Sequence, residues 1–263
     1  MKRNRWIAAL FVLCLLMLPC HCLAGQPDRL VQVSTLGALL AGVYDGNVSI
    51  RQLKESGDFG LGTFNGLDGE MVFVDGHVYQ VPSDGHAVEP ADSTLVPFAA
   101  VTFFHADRVL PVESGMDYDG LKRMLKSLLP SRNIFYAVRI DGKFRTVRTR
   151  SVKRQHKPYR PLREVVKEQT IFDFKEARGT VAGFISPPWI RGINVPGFHL
   201  HFINSRRDAG GHVLAFQVED ATLQIDIIHD FSMLLPDDPF FYHAVLDAPV
   251  AGDIKKVEHE EHK

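Results

Sequence analysis

The sequence predicts an α+β protein dominated by β-structure, and three observations carry that prediction. First, residues 70–81 (EMVFVDGHVYQV) and 134–151 (with FYAVRIDGKFRTVRTRS) each set Asp-Gly between apolar-rich runs, a strong local signal for a β-hairpin. Second, TVAGFIS, GFHLHFIN, HVLAFQVED and ATLQIDII follow one another closely in the second half, as in a curled antiparallel sheet or small barrel. Third, helical patterns are few.

The first helical pattern is SIRQLKES, with Ser49 as cap and Gly57 as stop. The second is DYDGLKRMLKSLL, whose Leu121, Met124, Leu125 and Leu128 share one face. No internal repeat or low-complexity linker appears, so the expected organisation is one compact unit with two β-rich lobes. Residues 25–170 form an N-terminal α/β lobe with a mixed sheet and helices, and 171–263 form a C-terminal β-rich lobe.

Residues 1–24 read as a signal peptide: Lys2, Arg3 and Arg5 precede an apolar run from Ile7 to Leu18, with small residues around Ala24. A spanning helix needs about 20 apolar residues, so a stable membrane anchor is not expected after cleavage. Export, to a periplasm or outside the cell, is expected. A lipid anchor on Cys20 or Cys22 is disfavoured because Pro19 and His21 stand where small residues are wanted. Cys14, Cys20 and Cys22 are the only three cysteines, so the mature chain would have none. Core burial then has to replace disulfides, and any metal must be held by His, Asp or Glu. Loss of Lys2, Arg3 and Arg5 from a chain of formal charge −1 makes the remainder more acidic, which argues against a nucleic-acid partner.

The chemistry concentrates at 196–214, PGFHLHFINSRRDAGGHVL. Strand side chains two apart share a face, so His199 and His201 project together while Leu200 and Phe202 project oppositely. His212 starts the next strand after a glycine-containing turn. Three neutral imidazoles on adjacent strands give a divalent ion three ligands and leave a position open to water or substrate. A surface strand with scattered histidines fits poorly, because Phe198, Leu200, Phe202 and Ile203 make this strand apolar and buried polar rings need partners. A zinc hydrolase or an exported metal carrier would account for the histidines equally well, although there is no H-E-x-x-H helix.

GALLAGVYDG, DFGLGTFNGLDGEM, NIFYAVRIDGKF, RTRSV with KPYRPL, and GFHLHFIN with GGHVL resemble the acetolactate decarboxylase family, in family order from about Gly37 to Glu258. The resemblance implies a zinc enzyme that converts 2-acetolactate to acetoin and carbon dioxide. It also implies a homodimer whose two β-rich lobes hold the metal between them. It assigns the zinc ligands to His199, His201 and His212, an active-site arginine to Arg150, and two glutamates to Glu70 in DGEM and Glu258 in KKVEHEE, where Glu260 and Glu261 compete. Thr63 in GTF is a weaker expectation as a hydrogen-bonding residue of the site.

The expected substrate is a 2-hydroxy-3-keto acid whose decarboxylation sends an electron pair into the ketone as an enediolate. Zn2+ on three imidazoles acts as a Lewis acid where that charge grows, so no organic cofactor is expected. Arg150 is expected to orient substrate rather than act as an acid, and a glutamate to move the proton.

Overall fold

The structure, a computed structural model, describes residues 28–246. The expected signal peptide, 1–24, and Glu258 lie outside the described residues. In chain order the strands are β1 (Arg29–Val33), β2 (Val48–Ser49), β3 (Phe59–Thr63), β4 (Glu70–Val74), β5 (His77–Val81), β6 (Leu95–Val96), β7 (Phe98–Thr102), β8 (Arg108–Val112), β9 (Phe135–Ser151), β10 (Thr170–Ser186), β11 (Gly197–Asn204), β12 (Gly210–Ile228) and β13 (Asp230–Leu234). The helices are α1 (Leu36–Leu40), α2 (Ile50–Lys54), α3 (Tyr118–Leu128), α4 (Leu162–Val165) and α5 (Pro239–His243).

Two main sheets make the β-dominated α+β fold. The first has the order β13-β1-β7-β3-β4-β5 and is mixed, since β13 runs parallel to β1 while the other pairs are antiparallel. The second has the order β11-β10-β9-β12-β8, and β11 also pairs with β12. That extra pairing closes β9, β10, β11 and β12 into a small antiparallel barrel. Sheet membership crosses residue 170 in both directions: β8 and β9 join the second sheet, and β13 returns to the first.

Local sequence explains both hits and misses among the elements. Asp75-Gly76 forms the expected hairpin turn between β4 and β5, with φ of 56° and 77°. Asp141-Gly142 does not form one: β9 runs straight through it. A Cβ at Gly142 would lie 2.2 Å from the Asp220 carbonyl oxygen, where the register between β9 and β12 slips from Val218 to Asp220. Glycine serves here to let two backbones approach as the barrel wall coils. The Asp141 carboxylate accepts from Thr180 Oγ1 at 2.7 Å and Gln224 Nε2 at 3.1 Å, so it ties neighbouring strands together instead of making a turn. HVLAFQVED and ATLQIDII are likewise one long strand, β12.

All the helices except α4 begin at side-chain caps. Ser49 and Gln52 form a capping box on α2, and Asp117 accepts from the Gly120 amide at the start of α3. On α3 Leu121 and Leu125 are fully buried, while Met124 and Leu128 pack at the edge of the same cluster. Helix α1, which the sequence reading did not anticipate, has all five residues buried.

Each barrel strand divides its side chains between two cores. Val138, Ile140, Val181, Leu200, Phe202, Leu223 and Ile225 fill the barrel together with α3. Ala137, Ala182, Phe184 and Ile203 turn outward to meet Phe59, Leu61, Val72 and Val74 of the first sheet. Alternation of period two thus welds the lobes, each large apolar side chain contributing about 1.5–3 kcal/mol.

Asp226 on β12 is fully buried, one carboxylate oxygen facing the His105 amide at 3.3 Å and the other without a hydrogen-bond partner among the described residues. Burial pushes its carboxyl up to about 7; the His105 amide opposes this, and Asp28 and Asp107 add to it. A folded-state value above the ordinary 3.8 means that the neutral form contributes stability that is fully present below about 3.8 and is lost progressively as pH rises from there to about 7. The melting temperature of Asp226→Asn, relative to the parent, is therefore expected to rise progressively through that window. A pH-independent difference would contradict the assignment. Gly142→Ala is expected to cost about 2–3 kcal/mol in denaturant unfolding by forcing β9 from β12; an unchanged midpoint would contradict the close-approach explanation.

Candidate active site

The site is a row of side chains on the barrel wall facing a pair on the first sheet. Along the wall, Arg150 on β9 stands opposite His212 on β12, and His212 opposite His201 on β11. His199 lies two residues before His201, on the same face. On the first sheet Thr63 and Glu70 are directly paired across β3 and β4. Gly211 sets up the row: its φ is 130°, and a Cβ there would lie 2.5 Å from the Arg150 carbonyl oxygen.

The three histidines converge as expected. One nitrogen from each of His199, His201 and His212 lies within 4.8 Å of the others, and the ring centroids are 5.1–5.3 Å apart. The relative exposures are 9%, 1% and 3%, so these are interior groups. His201 Nδ1 lies 2.6 Å from the Met71 carbonyl oxygen. That bond requires a proton on Nδ1, which leaves the Nε2 lone pair facing the cluster, 3.3 Å from His212 Nδ1. Burial, the neighbouring His199 and Arg150 all hold His201 well below the usual imidazole range, against the Met71 carbonyl, and so keep it neutral. An all-imidazole donor set of this kind fits a first-row divalent ion.

Glu70 bridges the cluster to the arginine. Its Oε1 accepts from Arg150 Nη1 at 3.3 Å, and its Oε2 lies 3.5 Å from His201 Nε2. Both side chains are buried. Glu70, Arg150, His199, His212 and Thr63 share a cavity of about 40 Å³, with His201 behind them. Thr63 donates its hydroxyl to the Gly69 carbonyl at 2.7 Å, which fastens the turn that leads into Glu70.

The rest of the cavity is an apolar wall of Leu36, Leu39, Leu67, Phe98, Val152 and Leu162. None of these was singled out from the sequence. Leucines and valines in an apolar segment look the same whether they face a core or a cavity, so no sequence signal distinguished them.

A β-dominated fold with a buried three-histidine cluster and an arginine–glutamate pair at one cavity defines a protein able to hold a divalent ion beside reactive groups. The family model for alpha-acetolactate decarboxylase matches residues 30–248. The alpha-acetolactate decarboxylase of Methanosarcina mazei is 47% identical over 231 residues, covering 88% of this chain and 80% of that one. The Bacillus subtilis relative of the same name is 44% identical, covering 89% and 94%. The crystal structure of alpha-acetolactate decarboxylase from Bacillus subtilis strain 168 superposes with a TM-score of 0.87, covering 88% of this chain and all of that one. The chain belongs to the alpha-acetolactate decarboxylase family.

Replacing His201 with alanine removes one imidazole of the cluster, whose second nitrogen is anchored to Met71. Elemental analysis after dialysis is expected to find about one divalent ion per parent chain and little in the variant. Equal metal content in both would show that the cluster is not the metal's site.

Proposed function

We propose that the chain catalyses zinc-dependent decarboxylation of 2-acetolactate to acetoin and carbon dioxide. The observation that carries this is the convergence of His199, His201 and His212 with the Arg150–Glu70 pair in one mostly apolar cavity, in a chain of this family. The donor set of His199, His201 and His212 fits Zn2+, which when bound would supply Lewis acidity where negative charge grows on the substrate.

The chain's own residues govern the rest. The substrate's carbon–carbon bond to the carboxylate breaks, and its electron pair moves into the adjacent ketone to give an enediolate. A tight bidentate grip on the departing carboxylate would favour the ground state, because carbon dioxide is neutral. Arg150, held on one side by Glu70 Oε1, instead orients the substrate and supports the oxygens on which charge grows. Glu70 Oε2, turned toward the histidine cluster, carries the proton that returns to carbon and completes acetoin. Glu258 is the second proton carrier in this reading. The walls of Leu36, Leu39, Phe98 and Leu162 surround the alkyl groups and exclude water, which strengthens each charge interaction in the cavity.

The expected working form is an exported homodimer that needs no organic cofactor. Intact mass measurement of the secreted protein tests the cleavage near Ala24.

Acetoin formation from racemic 2-acetolactate is expected from the purified protein as isolated, to vanish on chelation and to return with zinc. Metal binding without acetoin would overturn the reaction. Glu70→Gln is expected to lower kcat by roughly 10²-fold or more with metal content unchanged. Arg150→Ala is expected to raise KM and lower kcat together, and near-normal kinetics in either variant would remove that residue from its role.

A further inference from the structure

A second cleft, of about 490 Å³, opens between α3 and the ends of β10 and β11. Its floor is apolar: Leu125 is fully buried, and Leu129, Ile134, Ile185 and Phe198 are each half-buried against the barrel core. Its rim is cationic, carrying Lys122, Arg123, Lys126 and Arg132 against the single acid Asp119. Lys122 is already engaged, 3.2 Å from Asp119 and over the Tyr118 ring at 3.9 Å. Arg123, Lys126 and Arg132 have no ion pair among the described residues.

Two features separate this cleft from ordinary surface. Lys126 and Arg132 both line the cleft without an ion pair among the described residues, and their like charges repel, a cost that an anion seated between them removes. The volume lies within the range of ligand pockets, and an apolar floor with a few polar groups at one edge is the usual construction of a small-molecule site. Charge complementarity selects the ligand's head, and the floor selects its body.

We propose that this cleft binds an amphiphilic monocarboxylate, with its aliphatic body on Leu125, Leu129, Ile134 and Phe198 and its carboxylate between Lys126 and Arg132. The site is separate from the histidine cavity and does not rest on the proposed reaction.

Trp189 provides the readout. It follows Pro188 of the cleft lining, and its indole donates to the Asn133 carbonyl at 3.2 Å, between the rim residue Arg132 and the floor residue Ile134. Of the two tryptophans the other is Trp6, so Trp189 reports alone both from the secreted protein cleaved near Ala24 and from a full-length Trp6→Phe chain. Titrating that protein with decanoate is expected to give a saturable change in emission. Decanol is expected to bind about ten-fold more weakly and decyltrimethylammonium to give no saturable change. Lys126→Glu combined with Arg132→Glu is expected to weaken decanoate binding about ten-fold or more, with melting temperature and acetoin formation unchanged. Where that double variant melts lower, Arg132→Gln supplies the same test, expected at about three-fold weaker binding. Equal binding of decanoate and decanol, equal affinity in the charge variants, or no saturable signal would overturn the proposal. So would a signal that follows protein concentration without ligand, since a second copy of the chain would then occupy the cleft.

Discussion

The structure depends on β11 having two buried faces. Leu200 and Phe202 face into the barrel, while His199, His201 and Ile203 face the first sheet. Because a strand's side-chain period is two, a register slip of one residue would drive the imidazoles into the barrel core and the phenylalanine and leucine into the cavity. The apolar packing on one face therefore fixes where the histidines point on the other. Barrel closure adds the third imidazole, since the β11–β12 pairing sets His212 directly opposite His201. The same row reaches Arg150 on β9.

This two-sided wall explains why the site sits between the sheets. The first sheet contributes Glu70 from the start of β4 and the Met71 carbonyl that fixes the His201 tautomer. The residue that presents the carboxylate and the residue whose backbone carbonyl orients the imidazole are thus consecutive in the chain, and both meet His201. Neither sheet alone assembles the groups: the histidines and Arg150 need the barrel, and their partners come from across the interface. The buried Arg150–Glu70 pair is weak evidence for stability, because desolvating both charges offsets most of their attraction. Its position beside the histidines gives it a chemical reason to be there.

Much of this was legible in the sequence, and the reasons differ by residue. His199 and His201 could be placed on one face because alternation in GFHLHFIN is a local property. His212 followed because the intervening turn is short enough for adjacent pairing. Glu70 and Arg150 came through resemblance alone, since an acid beside Asp-Gly and an arginine among arginines look like surface charge. The Asp141-Gly142 hairpin failed for a physical reason: the same dipeptide that permits a turn also permits close backbone approach, and only the neighbouring strand β12 decides between them. Helix α1 was missed because GALLAG has no polar face to show a period.

The apolar wall is the part of the site that sequence concealed most completely, and it is also what makes the charged part useful. An arginine, a carboxylate and three imidazoles exposed to water would each be screened and solvated, and their interactions would fall toward the values of surface pairs. Placed under α1 and against Phe98 and Leu162, the same groups act in a medium with little water to reorganise. The helix that covers them is five residues long, and Thr35 caps it through the Ala38 amide. Its Leu36 and Gly37 amides bond to the Ile193 and Gly192 carbonyls in the segment that precedes β11. Cover and histidines are therefore joined through one stretch of backbone: the chain that anchors α1 continues directly into the strand that carries His199 and His201. A displacement of that segment would open the cavity and shift the histidines together, so the apolar cover of the site and the placement of its imidazoles form one structural property.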